Sequence, residues 1–149
     1  MMGSTVTIGG VPEGFDADII LRQMQRDGRP LMHIARDDKR LAAFAEAVRF
    51  FAPDMPVIRF PAWDCLPYDR VSPNADISAR RMATLAGLVH GMPKQFILLT
   101  TLNAAMQRLP ARQVLRDAAF RAEVGRPIDE EALRSFLVRM GFSKAPTVL

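Results

Sequence analysis

Gly9 and Gly14 frame four residues in GGVPEGFDA (9–17), and a helical pattern begins just beyond them. That frame belongs to the phosphate-binding P-loop, in which backbone N–H groups and a helix N-terminus cradle a nucleotide phosphate. Its chemistry also needs a lysine to neutralise the phosphate and a hydroxyl to hold magnesium. Here Phe15 stands where the lysine belongs, Asp16 where the hydroxyl belongs, and Glu13 adds a second carboxylate. A turn so charged repels a triphosphate. The expectation is a degenerate P-loop (Gly9, Gly14, Phe15, Asp16) that holds no cofactor. A glycine-rich turn with Asp16 capping the next helix explains the same residues without any nucleotide.

Other reactive groups are sparse. No acidic pair follows a strand in the way a magnesium site requires: Asp64 lies four residues beyond Phe60, and FILLTTLN (96–103) carries no acid. There is no Gly-x-Ser-x-Gly elbow, and Cys65 has no histidine near it in sequence to activate it. With only His33 and His90 beside that one cysteine, no metal-ligand spacing exists and no internal disulfide can form. Enzyme activity in this chain is not expected.

A basic stretch is the second candidate. Arg108, Arg112, Arg116, Arg121 and Arg126 face only Asp117 and Glu123 over the same residues, within a chain of formal charge +4. Arginines so gathered, Arg108, Arg112 and Arg116 foremost, suit an anion such as a nucleic-acid backbone or an acidic protein surface. Against this, Pro110 breaks the spacing, and a solvated face at a domain junction accounts for the same charges.

The elements that must position these groups alternate. TVTI (5–8), PLMHIA (30–35), VIRF (57–60) and QFILLT (95–100) read as strands. DADIILRQMQRDG (16–28), DDKRLAAFAEAVRFF (37–51), SARRMATLAGLVHG (78–91) and LNAAMQRL (102–109) read as helices. Such alternation predicts an α/β fold, a mostly parallel sheet with helices on both faces. After Pro110 the pattern changes: 118–128 reads as an exposed strand, 129–141 as a helix begun at Asp129, and 146–149 as a strand start. This predicts a domain over 1–113 and the opening of a small α+β domain over 114–149, cut off in its middle. Edges at 118–124 and 146–149 would favour a homodimer. The chain's 149 residues suffice for a core, and no apolar run approaches a membrane span, which predicts a soluble, cytoplasmic protein.

FPAWDCLPYDRVSPNADISARR (60–81) joins the third strand to its helix. Its prolines hold the chain extended, and Trp63, Leu66 and Tyr68 are placed to pack on the end of the sheet. That position is where α/β proteins set ligand sites, although a rigid structural loop needs no ligand.

The same stretch resembles a known family. WDCLPYDRVSPNADISARRMATL (63–85) is similar to the N-terminal region of the bacterial transcription-repair coupling factors (Mfd), which carry Trp-acid-x-Leu-Pro-Tyr-Asp-x-x-Ser-Pro, then Asp-Ile and a Ser-x-Arg helix. Trp63, Asp64, Leu66, Pro67, Tyr68, Asp69, Ser72, Pro73, Asp76, Ile77, Ser78 and Arg80 or Arg81 fall on that pattern. LLTTLNAAMQRLP (98–110) and GRPIDEEALRSFLVRMGF (125–142) extend the likeness.

The resemblance implies a module like the damage-recognition protein UvrB: a helicase-like α/β domain that has lost its ATP site, with a smaller domain inserted. It implies that ATP hydrolysis and DNA translocation, and the grip on RNA polymerase, belong to domains downstream of this noncatalytic fragment, whose module recruits UvrA through the second domain. Only about ten residues join Tyr68 to Ser78, too few for the long hairpin with which UvrB grips damaged DNA. The UvrA-contacting part of the family's second domain would follow residue 149, so no contact residue carries over, and UvrA binding by this fragment is expected to be weak. Residues 63–69, with Arg80 and Arg81, are expected to form a packing or interdomain surface.

Overall fold

The computed structural model describes residues 5–65, 68, 70 and 72–145. It divides into two compact units, residues 1–108 and 109–149. The division falls a few residues before the boundary expected from sequence.

In the first unit, helix α1 (Phe15–Asp27) precedes strand β1 (Leu31–Ala35), helix α2 (Asp38–Phe51), strand β2 (Val57–Phe60), helix α3 (Ala75–His90), strand β3 (Ile97–Thr101) and the short helix α4 (Leu102–Met106). The three strands pair in the order β1-β3-β2, all parallel. Both crossovers reach across a helix, as parallel pairing demands.

Strand alternation sorts the sheet into two faces. Leu31, His33 and Ala35 of β1 share one face with Ile97 and Leu99 of β3 and Val57 of β2. This face meets Ala17, Leu21 and Met24 of α1 and Leu41, Phe44, Ala45 and Val48 of α2 to form the main core. Val48, Ile97 and Leu99 are fully buried, each contributing about 1.5–3 kcal/mol by removal from water. The opposite face carries Met32, Ile34, Ile58, Phe60, Leu98 and Thr100. There α3 lies on β2, with Arg81 over the Phe60 ring. Helices thus flank the sheet on both faces, as the alternating pattern predicts.

Caps set the helix starts. The Asp37 carboxylate accepts from the Arg40 N–H at 2.8 Å and opens α2; Asn74 does the same for the Asp76 N–H and opens α3 three residues before the expected start. At α1 the cap is Gly14, left-handed at φ +86°, so Asp16 is not the cap that sequence suggested. Its carboxylate accepts instead from the neighbouring Ala17 N–H at 3.1 Å.

The TVTI segment (5–8) forms no strand. All four residues are exposed, and the sheet begins only at β1.

The second unit holds α5 (Arg112–Asp117) and α6 (Glu130–Arg139). Asp129 caps α6 through the Ala132 N–H at 3.0 Å, as its position predicts. Phe120 packs on Phe136 with ring centroids 5.6 Å apart, and Leu115 is the buried residue of α5. The exposed strand expected over 118–128 is absent. A turn at Val124–Gly125, with Gly125 at φ +82°, and Pro127, which has no N–H to donate, break it. Residues 118–124 therefore present no ladder edge for a homodimer, and 146–149 lie outside the described residues.

Candidate functional site

The turn before α1 and the loop after β2 are the two places where sequence put chemistry. Gly9, Gly10 and Gly14 carry the first turn, and the Phe15 N–H closes it on the Pro12 carbonyl at 3.1 Å. Glu13 does not stand alone in it: its carboxylate pairs with the Arg40 guanidinium of α2 at 3.0 Å. Phe15 sits edge-on to Phe51, with centroids 6.0 Å apart. The position that would need an ammonium group therefore holds a ring packed on the end of α2.

A cavity of about 880 Å³ opens beside this turn, lined by Ile8, Val11, Ile20, His33, Ile34 and Phe44 among others. It lies at the carboxyl end of β1, where open α/β sheets place ligands. His33 stacks flat on Phe44, centroids 3.7 Å apart. Burial holds the His33 pKa below its ordinary 6.5, with Asp16 pulling weakly the other way, so the ring is neutral at pH 7. The lining offers no lysine. Its carboxylates, Glu13 and Asp16, stand beside two guanidinium groups, Arg36 and Arg40, which pair with Asp37 and Glu13.

The second place is built around Arg81. Its side chain is only 1% exposed. The guanidinium lies between the Phe60 ring at 4.3 Å and the Trp63 ring at 4.4 Å. It donates to the Pro61 carbonyl and, at 3.1 Å, to the Gln107 Oε1. The same Oε1 accepts from the Trp63 N–H at 2.9 Å. One amide oxygen thus ties the loop after β2 to the residue just after α4. Burial lowers the Arg81 pKa from its usual value and leaves it charged. Its Nε is buried without a hydrogen-bond partner among the described residues.

Around this clamp the other motif residues separate. Both Asp64 carboxylate oxygens accept from the Asn74 N–H, at 3.2 and 3.3 Å, which folds the loop back onto the cap of α3. Tyr68 is 96% exposed, so it does not pack on the sheet as its aromatic character suggested. Arg80, one residue from Arg81, points to the exposed side of α3. Leu66, Pro67 and Asp69 lie outside the described residues. Cys65 is a half-buried free thiol.

The basic stretch divides. Arg121 and Arg126 both pair with Glu123, at 3.4 and 3.0 Å. Arg112 and Arg116 stand one turn apart on α5, exposed. Arg108 is exposed in the first unit. No cluster of three or more His, Cys, Asp or Glu able to hold a metal occurs among the described residues.

Three partners were not legible in advance: Gln107, Phe60 and Arg40. The one sequence signal for the clamp is an arginine on an apolar face. Arg81, Thr84 and Leu85 are the buried residues of α3, and their spacing marks a core stripe.

No family model matches the chain. It is 35% identical over 127 residues to the transcription-repair-coupling factor of Myxococcus xanthus, covering 80% of this chain and 10% of that protein. It is 27% identical over 133 residues to the Escherichia coli protein of the same name, covering 89% and 11%, and 28% identical over 142 residues to that of Haemophilus influenzae, covering 95% and 12%. The chain therefore spans about a tenth of the length of these relatives, and it resembles that part of the transcription-repair-coupling factor.

Proposed function

We propose that this chain is a noncatalytic module of a transcription-repair-coupling factor, a scaffold that helps bring excision-repair proteins to stalled RNA polymerase. The single observation that carries the reading is the turn at the head of α1. In a frame shaped for phosphate, Glu13 is paired with Arg40 and Phe15 packs on Phe51. A turn committed to internal contacts, without a lysine, suits a UvrB-like domain whose nucleotide site has decayed, and the sequence similarity supports the same family.

On this reading 1–113 is the degenerate α/β domain, and 114–149 begins the second, UvrA-recruiting domain. Trp63, Asp64, Leu66, Pro67, Tyr68, Asp69 and Arg80 mark the surface that meets other domains of the longer protein, while Arg81, expected on that surface, is buried and holds Trp63 from beneath. RNA polymerase, DNA and ATP are partners of other domains. The test compares this chain with a longer one that continues through the second domain, each titrated with UvrA. The longer chain is expected to bind and the short one to bind at least about tenfold more weakly, a difference of about 1.4 kcal/mol. Equal failure of both chains would refute recruitment through this module.

A second reading, a nucleic-acid contact, draws on Arg112 and Arg116, which lie one turn apart on α5 and have no ion-pair partner among the described residues. It predicts DNA affinity that falls steeply with salt.

A further inference from the structure

We infer that residues 61–64 and 102–107 form one latch, which opens and closes as a unit where the chain leaves the first unit. Gln107 is its pin. A carbonyl oxygen of an amide has two lone pairs, and the Gln107 Oε1 gives them to the Trp63 N–H at 2.9 Å and the Arg81 guanidinium at 3.1 Å. The next residue, Arg108, ends the first unit.

Neither side of the latch holds by itself. Helix α4 has five residues, of which Ala104 is the buried one, and so short a helix does not persist without tertiary support. Its cap is weak, because the Ala104 N–H reaches the Thr101 hydroxyl oxygen only at 3.4 Å. On the other side Trp63 rests on the Arg81 guanidinium, which donates to the Pro61 carbonyl. The limits of the moving parts are set by the sheet and by α3. The Thr100 hydroxyl donates to the Phe60 carbonyl at 2.9 Å and keeps Phe60 with β3. Beyond Trp63, Asp64 is tied to the Asn74 N–H at the start of α3.

A half-open latch is costly. Arg81 is 1% exposed and its Nε has no hydrogen-bond partner. Were Gln107 to leave alone, this buried charge would lose a further acceptor and the Trp63 N–H would be left unpaired. Were Trp63 to leave alone, the guanidinium would lose one of its two aromatic faces, and water would reach its bond to Gln107. Each departure removes what holds the other side, so the two sides part together, and Arg81 is solvated when they do. Because Gln107 adjoins Arg108, whatever displaces Trp63 also frees the stretch that leads into the second unit. The family motif and that stretch thus share one conformational switch, a property of the chain alone that does not depend on which partner meets the motif.

Amide hydrogen exchange followed by NMR on the whole chain tests this. In the unaltered chain the Trp63, Ala104 and Gln107 amides, corrected for their intrinsic rates, are expected to share one protection factor within about threefold. Trp63→Ala keeps the backbone N–H at position 63 and removes the ring. It is expected to speed exchange at Ala104 and Gln107 by at least about tenfold, and at Val48 of α2 by much less. A change confined to position 63, or an equal change at Val48, would overturn the inference. Should the variant unfold, sub-denaturing urea applied to the unaltered chain decides. One common urea dependence for the three amides, shallower than that of Val48, supports the latch, and separate dependences overturn it.

Discussion

Arg81 and Gln107 meet at 3.1 Å, and the same Gln107 oxygen receives the Trp63 N–H at 2.9 Å. The contact joins the middle of α3 to the residue just after α4, across the base of the loop that carries the family motif. Truncating Arg81 removes two aromatic contacts and a donor at once. Arg81→Ala is expected to cost about 3 kcal/mol in urea unfolding. Arg81→Met keeps the stacked volume and removes the unpartnered Nε, but it leaves the Pro61 carbonyl without its Arg81 donor, so it should cost less than the alanine variant without being neutral. Trp63, the only tryptophan, reports both by fluorescence.

Glu13–Arg40 and Asp37–Arg40 converge on one residue with unequal weight. The first is an ion pair between exposed side chains, worth less than about 1 kcal/mol and weakened by salt. In the second, the Asp37 side chain accepts a backbone N–H and caps α2. Asp37→Ala should therefore lower stability by about 1 kcal/mol, while Arg40→Ala lowers it by half that or less. Thermal melts of the two variants at low and high salt separate the contributions, because only the Arg40 effect should fade with salt.

His33 makes stability depend on pH. Burial lowers its folded pKa below 6.5, so below pH 6.5 the unfolded chain binds a proton that the folded chain resists. Its contribution is complete above pH 6.5 and is lost as pH falls from there towards the folded pKa, with a slope of at most about 1.4 kcal/mol per pH unit. His33→Phe preserves the stack on Phe44 and should flatten that part of the curve. Urea midpoints between pH 5 and 7.5 check it; an equal slope in both proteins would assign the dependence to other groups.

Leu99 is fully buried at the centre of the sheet, on the face that α1 and α2 cover. Leu99→Ala should cost about 2–5 kcal/mol. Val124→Ala, at a fully exposed turn position, should change stability by less than about 0.5 kcal/mol. Denaturation of the two variants side by side measures the difference.

Much of the fold is legible in the sequence because its signals are local. Asp37 and Asp129 announce their helices, Leu41, Phe44, Ala45 and Val48 mark the buried face of α2, and VIRF is a strand between prolines. What is not legible depends on distant partners. Nothing near Glu13 in sequence points to Arg40, and nothing near Trp63 points to Gln107. TVTI reads as a strand because its residues favour one, yet a strand exists only where a neighbour completes its ladder. Tyr68 reads as packed because aromatic rings favour burial, but its ring is 96% exposed. The short α5 escapes notice because its six residues show less than two turns of pattern.

Calorimetric titration of the chain with magnesium-ATP tests the central claim most directly, that the turn from Gly9 to Asp16 no longer serves a nucleotide. No saturable heat is expected up to millimolar ATP. Saturable binding with one site per chain, lost when Gly14→Val blocks the turn in a protein that still folds, would contradict it.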